Sequence, residues 1–287
     1  MRRLLAICCL LFLLCGCVNS KPKAQIVTTT LPVYEFTVTL CAGTDISVSR
    51  LITGDVSCLH DYSVQASQMQ AIEDASVVII SGGGLEDFIY DLLPQKKTVI
   101  DASKDIALNC GESHHHDEHH HHESDPHYWL SPELALSMVH NICNELTVQY
   151  PQYTDIFSEN CAVLEQKLSE LKVYGEKTLQ TLSSRKLITF HDGFSYFAEA
   201  FDLKILKAIE EESGSEASAA ELIEIIKLVD ENNLPAIFTE DNGSTSAAGI
   251  IAKETGANVY DLTMAMSGES YFDAMYRNIN TVKEALG

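Results

Sequence analysis

Histidine is the most unevenly placed residue type in this chain, and its placement points to metal chemistry. Seven of the eleven histidines are His114, His115, His116, His119, His120, His121 and His122, in the run ESHHHDEHHHHESDPH. Imidazoles at that density bind Zn²⁺, Cu²⁺ or Ni²⁺ in many geometries, so the segment reads as a metal-collecting loop of low selectivity. It is acidic, polar and of low complexity, and cannot build a core. The ordinary alternative is a solvated loop with no metal role. An expression tag does not fit an internal run broken by Asp117 and Glu118.

The other four histidines are isolated. His60 stands in CLHDYSVQAS after a strand-like stretch and a loop, and His127 in DPHYWLSPE just ahead of a helix that starts near Pro132. His191 stands in FHDGFSYF, at the end of the strand-like KLITF. Taken singly, each is ordinarily a structural histidine with its hydrogen bonds satisfied. Three at element edges, spread over both halves, suit the lip of a cleft. His140 lies inside a helical pattern and reads as structural.

The elements that must position these residues alternate between strand and helix. Strands are expected at Gln25–Thr30, Ile46–Ile52, Ser76–Ser81 and Thr98–Asp101, then at Lys186–Phe190, Ala236–Thr239 and Asn258–Leu262. Val77, Val78, Ile79 and Ile80 form the unbroken apolar run of a strand buried on both faces. Helices are expected after Pro32 and over Ser63–Ala75, Pro132–Tyr150, Gly193–Ala200, Ala217–Asn232, Ser244–Thr255 and Tyr271–Leu286. From Asp155, Phe157, Cys161, Leu164, Leu168 and Leu171 recur at spacings of 4, 3, 4 and 3, and Leu179 and Leu182 extend the pattern. That is one amphipathic helix of roughly 28 residues, about 40 Å long. The fold class is α/β: two doubly wound lobes with mostly parallel sheets, joined by one long rigid helix. Ligands in such sheets bind at the carboxyl ends of the strands, here a cleft between the lobes.

The stretches HDYSVQAS, EDASVVIISGGGLEDF, DPHYWLSPE and FHDGFSYFAEAFDL resemble, in order, the successive signatures of the ZnuA-like zinc-binding proteins of bacterial ABC importers. The acidic histidine-rich insert just before DPHYWL resembles that of the zinc branch. The resemblance implies two α/β lobes, a connecting helix, a metal held between the lobes, and His60, His127 and His191 as three histidine ligands. Neutral imidazoles suit Zn²⁺, and three leave one tetrahedral position open. A manganese site favours more oxygen, and that branch usually carries Glu at the position of His191. The fourth ligand departs from the pattern. Thr263, in GANVYDLTMAM, falls where many members carry an Asp, and Leu59 falls where some carry a Glu. Water or Glu240, in FTEDN, is left for that place, with Asp261 a weaker candidate. Glu240 has its own ordinary reading as a strand-end acid capping the next helix.

The chain opens with Met1-Arg2-Arg3 and an apolar run to Leu14, the layout of a secretory signal. Leu14-Cys15-Gly16-Cys17 resembles a bacterial lipobox, which implies cleavage before Cys17 and a lipid on its thiol. The expected organisation is a signal peptide over 1–16 and a lipid-anchored tether over 17–24. A first α/β lobe follows over 25–150, including the histidine-rich loop 112–125, then a connecting helix over 151–183 and a second α/β lobe over 184–287. No later stretch is apolar enough to span a membrane. A formal charge of −22 excludes nucleic acid as a partner and suits attraction of cations. Cys41, Cys58, Cys110, Cys143 and Cys161 lack CxxC spacing, so a structural Cys₄ zinc site is not expected, and their pairing is not readable. Cys143 and Cys161 fall in helical patterns as small buried hydrophobes.

These observations make an exported, monomeric solute-binding protein that captures Zn²⁺, the one ion required, and delivers it to the permease of an ABC importer. It would sit on the outer face of the cell membrane through Cys17. The alternatives are a Mn²⁺-binding relative, or a surface adhesin or zinc buffer working without a transporter. An enzyme is not expected: a metallohydrolase could draw on Asp192 or Glu240 as general base, but no HExxH or comparable signature is present.

Overall fold

The computed structural model describes residues 24–54, 59, 62–90, 92–94, 97–109, 124–210, 217–241 and 246–287. The signal segment with Cys17, the seven clustered histidines, and His60, Cys58 and Cys110 lie outside the described residues.

The first lobe runs β1 (Ile26–Thr28), α1 (Leu31–Leu40), β2 (Val48–Arg50), α2 (Ala66–Asp74), β3 (Val77–Ile80), α3 (Asp87–Tyr90) and β4 (Thr98–Asp101). Its strands form one parallel sheet in the order β2-β1-β3-β4. The β3 residues are buried on both faces, as their continuous apolar run requires. A 3₁₀ turn, Tyr128–Leu130, leads into α4 (Pro132–Gln149). Ser131 caps α4 by accepting a hydrogen bond from Leu134 N, and Pro132 supplies the preset φ of a first turn.

The long helix is α5 (Thr154–Thr178), which ends in a 3₁₀ turn, Leu179–Thr181. Its buried stripe is Phe157, Cys161, Leu164, Leu168, Leu171 and Gly175. Burying each leucine removes enough apolar surface to stabilise by about 1.5–3 kcal/mol, so the stripe fixes the helix firmly. The helix touches both lobes. Asn160 Nδ2 donates to the Leu40 and Ala42 carbonyls at 2.9 Å each, and Gly175 lies so close to Phe201 that a Cβ there would come within 2.1 Å of its ring.

The second lobe runs β5 (Lys186–His191), α6 (Ser195–Ala200), β6 (Lys204–Glu210), α7 (Ala219–Asn232), β7 (Ala236–Glu240), α8 (Ser246–Thr255), β8 (Asn258–Leu262) and α9 (Tyr271–Leu286). Its sheet is again parallel, in the order β6-β5-β7-β8. The sequence pattern missed β6. KILKAIE breaks its alternation with Lys207, and the strand pairs on one side only, with a register shift at Leu187/Ile188.

The lobes share one hydrophobic core, in which Phe36, Trp129 and Leu146 join Phe197, Met264 and Tyr271. Phe36 and Tyr271 meet edge to face at 5.0 Å between ring centroids. Three alternating carbonyls of the loop after β8 take donors from the first lobe. Met264 O accepts from Trp129 Nε1 at 2.8 Å, Met266 O from Leu31 N at 3.0 Å and Gly268 O from an Arg50 guanidinium nitrogen at 2.9 Å. No helix among the described residues is long and apolar enough to cross a membrane.

Candidate metal centre

The centre of the second sheet presents its strand ends to the seam. His191 is the last residue of β5 and Glu240 the last of β7. Thr189 pairs with Phe238, so His191 and Glu240, each two residues further on, stand level and on the same face of neighbouring strands about 4.8 Å apart. They are 7% and 8% exposed. The strand order reverses between β5 and β7, and that is where an open α/β sheet forms its crevice.

His127 comes to this point from the first lobe. Asp125 holds it twice: one carboxylate oxygen accepts from the His127 backbone N–H and lies against Nδ1, both at 2.9 Å. The other oxygen accepts from Ser195 Oγ at 2.5 Å, and the Asp125 carbonyl accepts from Tyr196 Oη at 2.9 Å, so the 125–127 segment is docked on α6. Burial pushes the Asp125 carboxyl up, but the hydrogen bonds it accepts from His127 and the Ser195 hydroxyl outweigh it and hold the group below the usual carboxylate range. In a neutral ring whose Nδ1–H donates to this carboxylate, the lone pair falls on Nε2. His127 Nε2 is buried and has no hydrogen-bond partner among the described residues. A buried imidazole nitrogen left this way, with a carboxylate behind the opposite nitrogen, is the arrangement that metal-ligating histidines take.

The His127 and His191 rings stand 5.6 Å apart, centroid to centroid, at 87°. Gly193 makes that approach possible: a Cβ there would lie 2.3 Å from Met264 Cε, 2.9 Å from His127 Nδ1 and 3.1 Å from His191 Cδ2. Trp129 stands edge-on to His127 at 5.5 Å and walls the site off.

The oxygen candidates differ in how they are engaged. Asp261 accepts a hydrogen bond from Thr239, its register partner on β7, and is exposed on the face away from Glu240. Thr263 has its backbone clamped by the buried Asn278, which accepts from Thr263 N at 2.9 Å and donates to Thr263 O at 2.7 Å. Its hydroxyl accepts from Ala265 N at 3.2 Å. Glu240 and Thr263 line a cavity of about 320 Å³ that extends past Ser267 to Asp273 and Arg277, and neither histidine lines it. Leu59, directly before the first isolated histidine, is fully buried and packs in the core. The structure thus brings the His127 and His191 rings together, sets Glu240 level with His191 at the end of the neighbouring strand with its side chain on a cavity that neither histidine lines, and sets Asp261 aside.

Sequence reasoning gave no role to Asp125, Gly193, Ser195 or Asn278. The DPH spacing hints at Asp125, since an acid two residues before a histidine can reach both its backbone and its ring. Nothing local marks Asn278, which acts fifteen residues away from its partner.

The profile of the family described as "Zinc-uptake complex component A periplasmic" matches residues 26–285. The chain belongs to this family. Among curated relatives it is 34% identical to the "Zinc-binding lipoprotein AdcA" of Streptococcus pneumoniae strain R6, over 98% of this chain and 60% of the relative. The chain thus spans about 60% of the length of that protein. It is 30% identical to the "High-affinity zinc uptake system protein ZnuA" of Bacillus subtilis strain 168, over 98% of this chain and 96% of the relative. Among solved structures, the crystal structure of ZnuA superposes with a TM-score of 0.82 at 29% identity, covering 92% of this chain and all of that one. The family likeness therefore extends over both lobes and the helix between them.

Proposed function

We propose that this chain captures Zn²⁺ outside the cytoplasmic membrane and hands it to an ABC-type importer. The observation that carries the reading is the pair of buried imidazoles at the inter-lobe seam, with the Asp125 carboxylate against His127 Nδ1 and no hydrogen-bond partner at its buried Nε2 among the described residues. Zinc is cargo here, not a resident cofactor. His127 and His191 supply two nitrogens, His60 a third, and Glu240 or water the last position. A set of three imidazoles favours Zn²⁺ over Mn²⁺, which prefers oxygen. Asp125 fixes the His127 tautomer and raises the basicity of the ligating nitrogen. The relatives' names, zinc-binding lipoprotein and zinc uptake protein, support the same cargo. A lipid on Cys17 would keep the carrier beside the importer permease, and the clustered histidines would collect metal with lower affinity. The protein works as a monomeric carrier and catalyses no reaction.

Isothermal titration of metal-free protein with Zn²⁺ and Mn²⁺ tests this. One tight Zn²⁺ site is expected, abolished by His191→Ala or His60→Ala. A variant lacking 114–122 keeps it and loses the weaker sites contributed by that loop. Mn²⁺ that displaces Zn²⁺ at equal concentration would refute the reading.

A further inference from the structure

Away from the cleft, α4 and α5 bring a second set of metal-competent side chains together. His140 and Cys143 are three residues apart on α4, and Cys161 and Glu165 four apart on α5. Those spacings put each pair on one face of its helix. The ligand atoms of His140, Cys161 and Glu165 all lie within 4.8 Å of one another. His140 Nε2 is 2.6 Å from Glu165 Oε1. Cys143 Sγ donates to the Phe157 carbonyl at 3.6 Å. Both cysteines are buried in the helix seam, while His140 and Glu165 are half exposed above them. Packing explains the cysteines as small apolar fillers, but it does not ask for an imidazole and a carboxylate converging on the same sulfur.

We propose that His140, Cys161 and Glu165 form a second, solvent-open site for a borderline divalent cation of the Zn²⁺ class. Side chains on facing helices are how bundles build metal centres. A thiolate with an imidazole selects Zn²⁺ over the oxygen-seeking Mg²⁺, Ca²⁺ and Mn²⁺. On binding, the cation takes the place of the Cys161 S–H proton, which leaves to solvent, and the His140–Glu165 hydrogen bond opens so that both groups turn to the metal. The site lies about 12 Å along α4 from the helix start and shares no residue with the cleft, so it stands independently of the function proposed above.

Titration of reduced, metal-free, full-length protein with Co²⁺ tests the site, because a thiolate ligand gives an intense sulfur-to-metal charge-transfer band that histidine and carboxylate ligands do not. The band is expected to grow to saturation, to vanish in Cys161→Ser, and to persist in His191→Ala. His140→Ala and Glu165→Gln should each raise the Co²⁺ needed by roughly tenfold or more. These two change half-exposed side chains, so they decide the matter even if Cys161→Ser misfolds. Absence of the band in the unaltered protein overturns the proposal, as does a band unchanged in His140→Ala and Glu165→Gln. A Cys143–Cys161 disulfide in protein isolated without reductant also overturns it, because a bridged sulfur has no proton to exchange for metal.

Discussion

In the first lobe the crevice between β1 and β3 is filled by the chain's own carboxylate, whereas in the second the equivalent crevice between β5 and β7 carries His191 and Glu240. The two sheets have the same strand order, reversing at the same place. Glu86, 1% exposed, closes the first crevice by accepting from Ser81 N at 2.8 Å, Gly82 N at 2.9 Å and Thr29 Oγ1 at 2.5 Å. Tyr128 Oη locks the same strand end by donating to Ser81 O at 2.6 Å. Topology thus offers two crevices, and side-chain chemistry decides their use. One becomes a rigid wall satisfied from within; the other carries an imidazole and a carboxylate at its strand ends.

The comparison can be broken from either side. Gly193→Ala should have the largest effect, on metal alone. Its new methyl group meets His127 Nδ1, displaces the ring, and should weaken Zn²⁺ binding roughly 100-fold by calorimetry, about 2.7 kcal/mol, with the fold retained by circular dichroism. Glu86→Gln should do the reverse. It leaves buried N–H donors facing an amide nitrogen, which costs about 2 kcal/mol in urea unfolding at mildly acid pH, and it leaves Zn²⁺ affinity unchanged.

The pH dependence of that second variant sharpens the contrast. Burial outweighs the three donors and holds the Glu86 carboxyl above its ordinary value of 4.5. As pH rises through 4.5 the unfolded chain releases this proton before the folded one does, so this group's contribution to stability falls with rising pH. Glutamine does not titrate, so the advantage of the unaltered protein over Glu86→Gln should shrink over that range. An advantage that grows instead would mean the crevice holds its anion better than water does.

Smaller effects are expected away from both crevices. Tyr271→Phe deletes the hydrogen bond from Tyr271 Oη to Trp129 O, 2.7 Å long and buried at the lobe seam, and should lower stability by about 1 kcal/mol in thermal unfolding. Ser218→Ala removes half of the capping box of α7, where Ser218 Oγ accepts from Glu221 N. It should cost about 0.5–1 kcal/mol with no change in metal binding.

The fold was legible where local pattern and tertiary environment agree. The apolar run Val77–Ile80 can hardly be anything but a doubly buried strand, and the stripe from Phe157 to Leu171 is the face of α5 that is buried. β6 was illegible because an edge strand carries lysines that a central strand could not. At the centre, histidine identity and position at element edges singled out His127 and His191, whose rings the fold brings to 5.6 Å of each other. Their relation to each other was not readable, because it depends on a missing Cβ at Gly193 and on Asp125 reaching α6 of the other lobe. Likewise Glu86 reads as one acid among many in GGGLEDF, and only the folded chain shows three donors aimed at it. His140, Cys143, Cys161 and Glu165 read as two unrelated helix patterns, since only the packing of α4 on α5 makes them neighbours.

The loop after β8 has a mechanical consequence. Trp129, Leu31 and Arg50 of the first lobe all donate to its carbonyls, and Trp129 and Tyr271 are wholly buried between the lobes. Parting the lobes like a jaw would strand those donors, at about 1–3 kcal/mol for each buried one, and wet the aromatic core as well. The molecule is built as a clasp with a stiff frame, in which cargo would come and go by the shift of a few side chains and short loops. Its exchange rate would then be set by that small motion and not by a swing of domains.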